Sequence, residues 1–274
     1  MALPSTAALS AYRTADDTIQ LTVSSPTNIA VIKYWGKRDS KLVLPINSSL
    51  SITLDPAKMG TTTTAAISPD WEGDRLWLNG KEEDVTAQRI QNCLREIRKR
   101  AGAACPEGGL RVVSTNNFPT AAGLASSASG YACLVAALGL LHDIQGDISA
   151  IARQGSGSAC RSVFGGFVKW EMGTKDDGSD SMAVEVAPAG HWPEMQALIL
   201  VVSDEKKKVS STGGMENAVR TSKLLAHRAA AIVPERMQVC RGGDVWVGVW
   251  VCGYVYIHVS IDRSIDRSID LSYL

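Results

Sequence analysis

The sequence predicts an α+β fold, with helices packed on one side of a sheet, and three observations carry it. Residues 61–67 and 110–115 are short β-rich runs, residues 124–141 are small and apolar on nearly all sides, and mixed strands are followed by helices along the chain. At 274 residues there is enough chain for one large domain or two small ones with a substantial core. Lys plus Arg equals Asp plus Glu at 28 each, so no global field favours nucleic acid or an acidic membrane.

The elements follow in order. Residues 1–20 have no basic start followed by an apolar run and read as a flexible arm without a secretory signal. Residues 22–31 alternate or are β-branched and predict one strand, ending at the loop Lys33-Tyr34-Trp35-Gly36-Lys37. Residues 75–78, closed by Asn79-Gly80, predict a strand and a hairpin turn. Val85, Ile90, Cys93, Leu94 and Ile97 have helical spacing with a charged outer face, which predicts a helix over 85–100. The buried helix at 124–141 follows the strand at 110–115. Asp147 can cap a short helix to Arg153, and another small-residue helix follows Gly157. Residues 166–172 and 182–187 predict a strand pair, 198–202 an apolar strand, and 216–233 a helix. Six cysteines without a C-x-x-C pair and four scattered histidines predict a reduced, cytoplasmic protein without a structural metal.

After about Val239 the text changes. Residues 245–259 are a Val- and Trp-rich run, and Ser260-Ile261-Asp262-Arg263 then repeats with a period of four. A tandem ATCG tetranucleotide read in frame encodes that repeat, and GT-rich DNA encodes runs of Val, Cys, Trp and Gly, so translated non-coding sequence is the favoured reading. A genuine edge strand and a membrane segment are the alternatives. The run is shorter than the ~20 apolar residues a span needs.

Two segments carry chemistry. Pro119-Thr120-Ala121-Ala122-Gly123-Leu124-Ala125-Ser126-Ser127-Ala128 joins a strand to the buried helix. A phosphate chain needs unpaired N–H groups with no side chains in the way, which the first turn of a helix supplies, and Ser126 and Ser127 add hydroxyls. A small-residue turn before a core helix is the plain alternative. A P-loop is excluded, because G-x-x-x-x-G-K-[ST] does not occur. In the second, Ser156-Gly157-Ser158-Ala159 offers hydroxyls beside free N–H groups, and Arg161 follows directly, a residue that on its own reads as a surface charge and within this motif as a planar fork for an anion.

The first segment resembles the phosphate loop of the GHMP kinases. Asn28-Ile29-Ala30-Val31-Ile32-Lys33-Tyr34-Trp35-Gly36-Lys37-Arg38, Leu44-Pro45-Ile46-Asn47-Ser48-Ser49-Leu50-Ser51 and Gly155-Ser156-Gly157-Ser158-Ala159-Cys160-Arg161-Ser162 resemble the mevalonate diphosphate decarboxylases of that superfamily, over roughly residues 21–238. The resemblance implies a GHMP-kinase-like fold (ribosomal protein S5 domain 2-like in its N-terminal half) over 21–200, the start of the C-terminal domain at 201–238, and a non-family tail at 239–274. It implies ATP with Mg2+ as cofactor, mevalonate 5-diphosphate as substrate, and a homodimer. It implies that Lys33 and Arg161 are catalytic and that Asn28, Tyr34, Trp35, Gly36, Lys37, Arg89, Ser156, Gly157, Ser158, Ala159, Cys160 and Thr212 line the substrate pocket. Pro119, Ala122, Gly123, Leu124, Ser126 and Ser127 would hold the nucleotide. Thr212 has a second reading as a plain helix cap.

The family places the substrate's tertiary hydroxyl with an aspartate in a late Asp-Ala-Gly-Pro-Asn segment. These 274 residues contain none, and Asp244 has the wrong neighbours. Loss of such a group costs about 10²- to 10⁴-fold in acid–base catalysis. Impaired turnover is therefore expected. The alternatives are a non-catalytic chain that binds nucleotide or pairs with the full-length enzyme, and a sibling kinase, against which Ser156 to Arg161 argues.

Overall fold

The computed structural model describes residues 17–118, 126–201, 210–239 and 255–260. Its strands are β1 (Ile19–Pro26), β2 (Asn28–Ile32), β3 (Lys37–Asp39), β4 (Leu44–Pro45), β5 (Ser49–Thr53), β6 (Gly60–Ser68), β7 (Arg75–Leu78), β8 (Lys81–Glu83), β9 (Gly109–Asn116), β10 (Phe167–Trp170), β11 (Ala183–Ala187), β12 (Gln196–Val201) and β13 (Val255–Ser260). Its α-helices are α1 (Gln88–Ala101), α2 (Ser126–Leu141), α3 (Ser149–Gly155), α4 (Ala159–Ser162), α5 (Ser211–Thr221), α6 (Lys223–His227) and α7 (Val233–Val239).

One sheet has the order β1-β6-β9-β7-β8 and a second the order β11-β10-β5-β2. The run read as one strand at 22–31 is two strands in different sheets. Pro26 has no N–H to continue a ladder, and the Thr27 amide turns instead to the Met59 carbonyl at 3.0 Å, so the chain crosses between sheets there. Alternation then sorts the first strand: Leu21 and Ser25 are buried, while Thr22 and Ser24 pair their hydroxyls with Thr64 and Thr62 on the outer face. The Asn79-Gly80 turn forms as the sequence predicts. Both residues have positive φ, 50° and 79°, which a two-residue hairpin of this type requires.

The larger core lies between the first sheet and its helices. Ile90, Cys93, Leu94 and Ile97 of α1 meet Val135, Leu138 and Leu141 of α2 and Leu21, Ile67 and Val112 of the strands. Helix α2 is buried on most sides, as its small residues demand: Ala128, Ala132, Cys133 and Ala137 are fully enclosed. Asp147 accepts from the Ser149 and Ala150 amides and starts α3 as predicted. Helix α4 is one turn long and joins two cores, giving Ala159 to the larger and Cys160 to a smaller one with Val168, Trp170 and Ala183.

The helix predicted over 216–233 differs most. It begins earlier, at Ser211, with the Ser210 hydroxyl accepting from the Gly213 amide. It breaks at Ser222, which is extended and caps a new helix through the Leu225 amide. A π-helical turn at Arg228–Ile232 follows before α7. Pro234, second in α7, cannot donate to the preceding turn, and the widened turn accommodates it. In the tail, β13 pairs antiparallel with β12, Gln196 opposite Ser260. The four-residue repeat beyond Ser260 lies outside the described residues, as do residues 1–16 of the arm read at 1–20, whose Ile19 and Gln20 instead open β1. Among the described residues no helix is long and apolar enough to cross a membrane.

His142, just past α2, is buried, and its Nδ1 lies 2.9 Å from the Leu138 carbonyl. Burial holds its imidazole below the ordinary histidine range. The folded state therefore resists a proton that the unfolded chain accepts below about pH 6.5, so stability present at neutral pH falls as pH drops through that value. Calorimetry from pH 7.5 to 5.5 is expected to show a falling Tm, and a flatter fall in His142→Gln.

Candidate active site

Arg161 sits at the centre. Its residue is 2% exposed, on α4, facing β5 and β2. The guanidinium donates from Nε to the Ser51 hydroxyl at 3.0 Å, from Nη1 to the Ser49 hydroxyl at 2.5 Å and from Nη2 to Asn28 Oδ1 at 3.3 Å. The Trp170 ring lies 5.7 Å away. All three acceptors are neutral, and among the described residues no carboxylate comes within ion-pair distance of it. A buried cation without a counterion is costly unless something anionic completes it. Asn28 is buried too and donates from Nδ2 to the Ser158 carbonyl at 3.0 Å and the Ser162 hydroxyl at 2.8 Å, fixing the turn that carries Arg161.

Tyr34 lies on the same side. Its ring meets Trp170 at 4.6 Å between centroids, and its buried hydroxyl has no hydrogen-bond partner. Burial pushes its phenol up, with the Cys160 thiol adding to the rise and Arg161 opposing it. Gly157 fits under these rings: a Cβ there would stand 2.9 Å from Trp170 Cη2 and 2.9 Å from Tyr34 Cε1. The amides near it are less open than the sequence suggests. Ser156 N–H closes α3 on the Ala152 carbonyl, and Ala159 N–H donates to the Ser156 carbonyl at 2.8 Å. Of the four amides predicted bare, those of Gly157 and Ser158 stay outside these two turns. Cys160 is fully buried, its thiol pushed up to about 12 by burial, and donates to the Gly157 carbonyl as packing.

The other corner meets this one. Ser127 Oγ, in the first turn of α2, is 3.2 Å from Ser156 Oγ. Ser126 begins that helix half-buried. Pro119, Ala122, Gly123 and Leu124 lie outside the described residues. Asn117 anchors the lead into that loop, accepting from the Gly60 amide at 2.8 Å and donating to the Pro56 carbonyl at 2.9 Å.

Lys37 lies in the field of Arg89 and Glu216. Burial and then Arg89 lower the Lys37 ammonium's pKa, and Glu216 opposes both. Arg89 Nη2 donates to Thr212 Oγ1 at 2.9 Å, so these two predicted pocket residues meet across 123 positions of chain. Thr212 is not the helix cap, because Ser210 is. Gly36 has φ +109°, and a Cβ on it would stand 2.7 Å from Ile46 Cδ1 and 2.8 Å from Val219 Cγ2, which explains the glycine beside Trp35. Lys33 carries the loop's start, and its carbonyl accepts from Asn47 Nδ2 at 3.3 Å and Arg228 Nη2 at 2.9 Å.

Sequence reading missed Arg228, Asn47, Glu216 and Arg153. Arg153 is 2% exposed, and its Nε and Nη1 are buried without partners. A basic residue two positions before a glycine-serine corner was the one signal for it. Among the described residues no group of three or more His, Cys, Asp or Glu could hold a metal ion. The buried, unpartnered Tyr34 hydroxyl and the uncompensated Arg161 are the groups here that an anionic ligand would complete.

A family profile described as "Diphosphomevalonate decarboxylase-like N-terminal domain" matches residues 25–183, and one described as "Mevalonate 5-diphosphate decarboxylase C-terminal domain" matches 197–243. A diphosphomevalonate decarboxylase of Rattus norvegicus is 58% identical over 231 residues, covering 80% of this chain and 58% of the relative. A solved mevalonate diphosphate decarboxylase from Trypanosoma brucei matches with TM-score 0.76 at 46% identity, over 81% of this chain and 60% of that one. A structure described as "MDDEF in complex with MVAPP, AMPPCP and Magnesium" matches with TM-score 0.69 at 36% identity, over 83% of this chain and 69% of that one. The chain thus spans somewhat over half the length of the curated relative it matches.

Proposed function

The chain belongs to the diphosphomevalonate decarboxylase family, and from that premise we propose that it binds mevalonate 5-diphosphate and ATP with Mg2+ in the pocket between its two glycine-serine corners. The observation that carries the reading is the 3.2 Å contact of Ser127 with Ser156, which sets the start of the nucleotide helix beside the Ser156-Gly157-Ser158 corner.

In the reaction, ATP phosphorylates the tertiary hydroxyl, and loss of phosphate with carbon dioxide leaves isopentenyl diphosphate. The residues divide by charge and shape. Arg161 supplies a fork to the substrate carboxylate, supported by its burial among neutral acceptors. Ser156, Gly157, Ser158, Tyr34 and Lys37 receive the diphosphate, with Arg89 and Thr212 at its rim. Lys33 faces the hydroxyl or carboxylate. Ser126 and Ser127, with Pro119, Ala122, Gly123 and Leu124, would hold the nucleotide, whose bound Mg2+ would supply charge neutralisation at the phosphates. The protein works in the cytoplasm, as a homodimer.

A polypeptide limited to these 274 residues, which contain no Asp-Ala-Gly-Pro-Asn segment to place the hydroxyl, would turn over slowly. That same fact favours a second reading, a nucleotide-binding chain that pairs with the full-length enzyme. The test is the purified chain with ATP, magnesium and mevalonate 5-diphosphate, followed for phosphate and carbon dioxide. Both ligands are expected to bind with release far below an enzyme-like rate. Release of both products at an enzyme-like rate would refute impairment, nucleotide binding without substrate binding favours the second reading, and phosphate transfer without gas release indicates a kinase.

A further inference from the structure

We infer that Arg228 is a positioning residue for the loop from Lys33 to Lys37, a role that rests on the reading of that loop as part of the substrate site. The Lys33 carbonyl takes two side-chain donors, Arg228 Nη2 at 2.9 Å and Asn47 Nδ2 at 3.3 Å. Arg228 Nη1 reaches Asn47 Oδ1 at 3.5 Å, and Asn47 Nδ2 also donates to the Ser48 carbonyl at 2.7 Å. The planar fork therefore closes a ring over one peptide group, the one that sets the direction of Tyr34. The aromatic ring of Tyr34 in turn packs on Trp170 and over Gly157. A lysine has one compact head and cannot bridge both acceptors with fixed geometry.

The backbone is built to aim this arginine. Leu225 and Val233 are the buried residues flanking it. Eight residues apart, they would stand about 80° apart on a regular α-helix. The π-helical turn Arg228–Ile232 puts more residues in each turn and returns both to one face. Arg228, three positions after Leu225, falls on that inward face and is half-buried. Helix α7 beyond it packs against β2 and β5, the strands that lead into and out of the site loops. A segment matched by the C-terminal family profile thus grips a loop in the region matched by the N-terminal one, across 195 positions of chain.

Hydrogen exchange of the ligand-free chain tests this without reference to any ligand, and titration with inorganic pyrophosphate tests its consequence. In Arg228→Gln the amides of 34–36 are expected to exchange about tenfold faster, with 211–227 unchanged and pyrophosphate affinity about fivefold lower. Arg228→Lys should recover part of both. Leu225→Ala, which loosens the helix without touching the Lys33 carbonyl, should lower Tm more than it loosens the loop. Unchanged exchange at 34–36 in Arg228→Gln, or equal acceleration along the whole of 211–239, overturns the role. If the unaltered chain binds no pyrophosphate, the functional reading of the loop fails, and exchange alone still decides whether Arg228 positions it.

Discussion

Replacing Arg161 with methionine is expected to lower affinity for mevalonate 5-diphosphate about a hundredfold while leaving the ligand-free chain nearly as stable as before. The two halves of this expectation have separate causes. Binding falls because two or more charge-assisted hydrogen bonds to a carboxylate are lost, each contributing about 1.5–3 kcal/mol. Stability changes little because Arg161 is desolvated against three neutral acceptors and, among the described residues, no carboxylate, so removing it also removes an uncompensated buried charge. The hydroxyls of Ser49 and Ser51 and the amide of Asn28 lose a donor, which offsets part of that gain. Nucleotide affinity should be far less affected. Arg161→Lys keeps the charge without the fork and should fall between. Titration calorimetry and Tm measured on the same samples check it: equal losses for both ligands, or a collapse of Tm without loss of binding, would contradict the assignment.

Gly157→Ala should act in the opposite way, through the fold first. The added methyl has no room, standing 2.9 Å from the rings of both Tyr34 and Trp170, and Trp170 is fully buried with its Nε1 donating to Ser181. Such overpacking costs about 1–3 kcal/mol, which lowers Tm by several degrees. The displaced Tyr34 ring also leaves the proposed anion site, so pyrophosphate affinity should fall in the same variant. A Tm within a degree of the unaltered chain would mean that the corner is looser than the packing indicates.

What could be read in the sequence was local. The Asn79-Gly80 turn, the small-residue helix after Ser126 and the cap at Asp147 each depend on residues a few positions apart, and each lies where its chemistry predicts. The split at Pro26 and Thr27 and the break at Ser222 were as local, but competing signals masked them: β-branched residues on both sides of Pro26 in one case, helical spacing in the other. Most of the site's wiring was not legible. Nothing in the text near Arg89 points to Thr212, nor near Lys33 to Arg228, because those pairs exist only once the helical segment after Ser210 meets α1 and the loop after β2. Arg161 was found by its motif, yet its burial among serines from β5 was not foreseeable from its neighbours.

The reading of this chain stands on the adjacency of two anion corners, and coupling between their ligands measures that directly. Mevalonate 5-diphosphate is titrated into the chain with and without a saturating non-hydrolysable ATP analogue and magnesium, and the reverse titration is run alongside. With Ser127 and Ser156 in contact, each ligand is expected to shift the other's affinity by the same factor, about fivefold or more. Independent binding of the two, or no binding of either, would contradict a shared pocket.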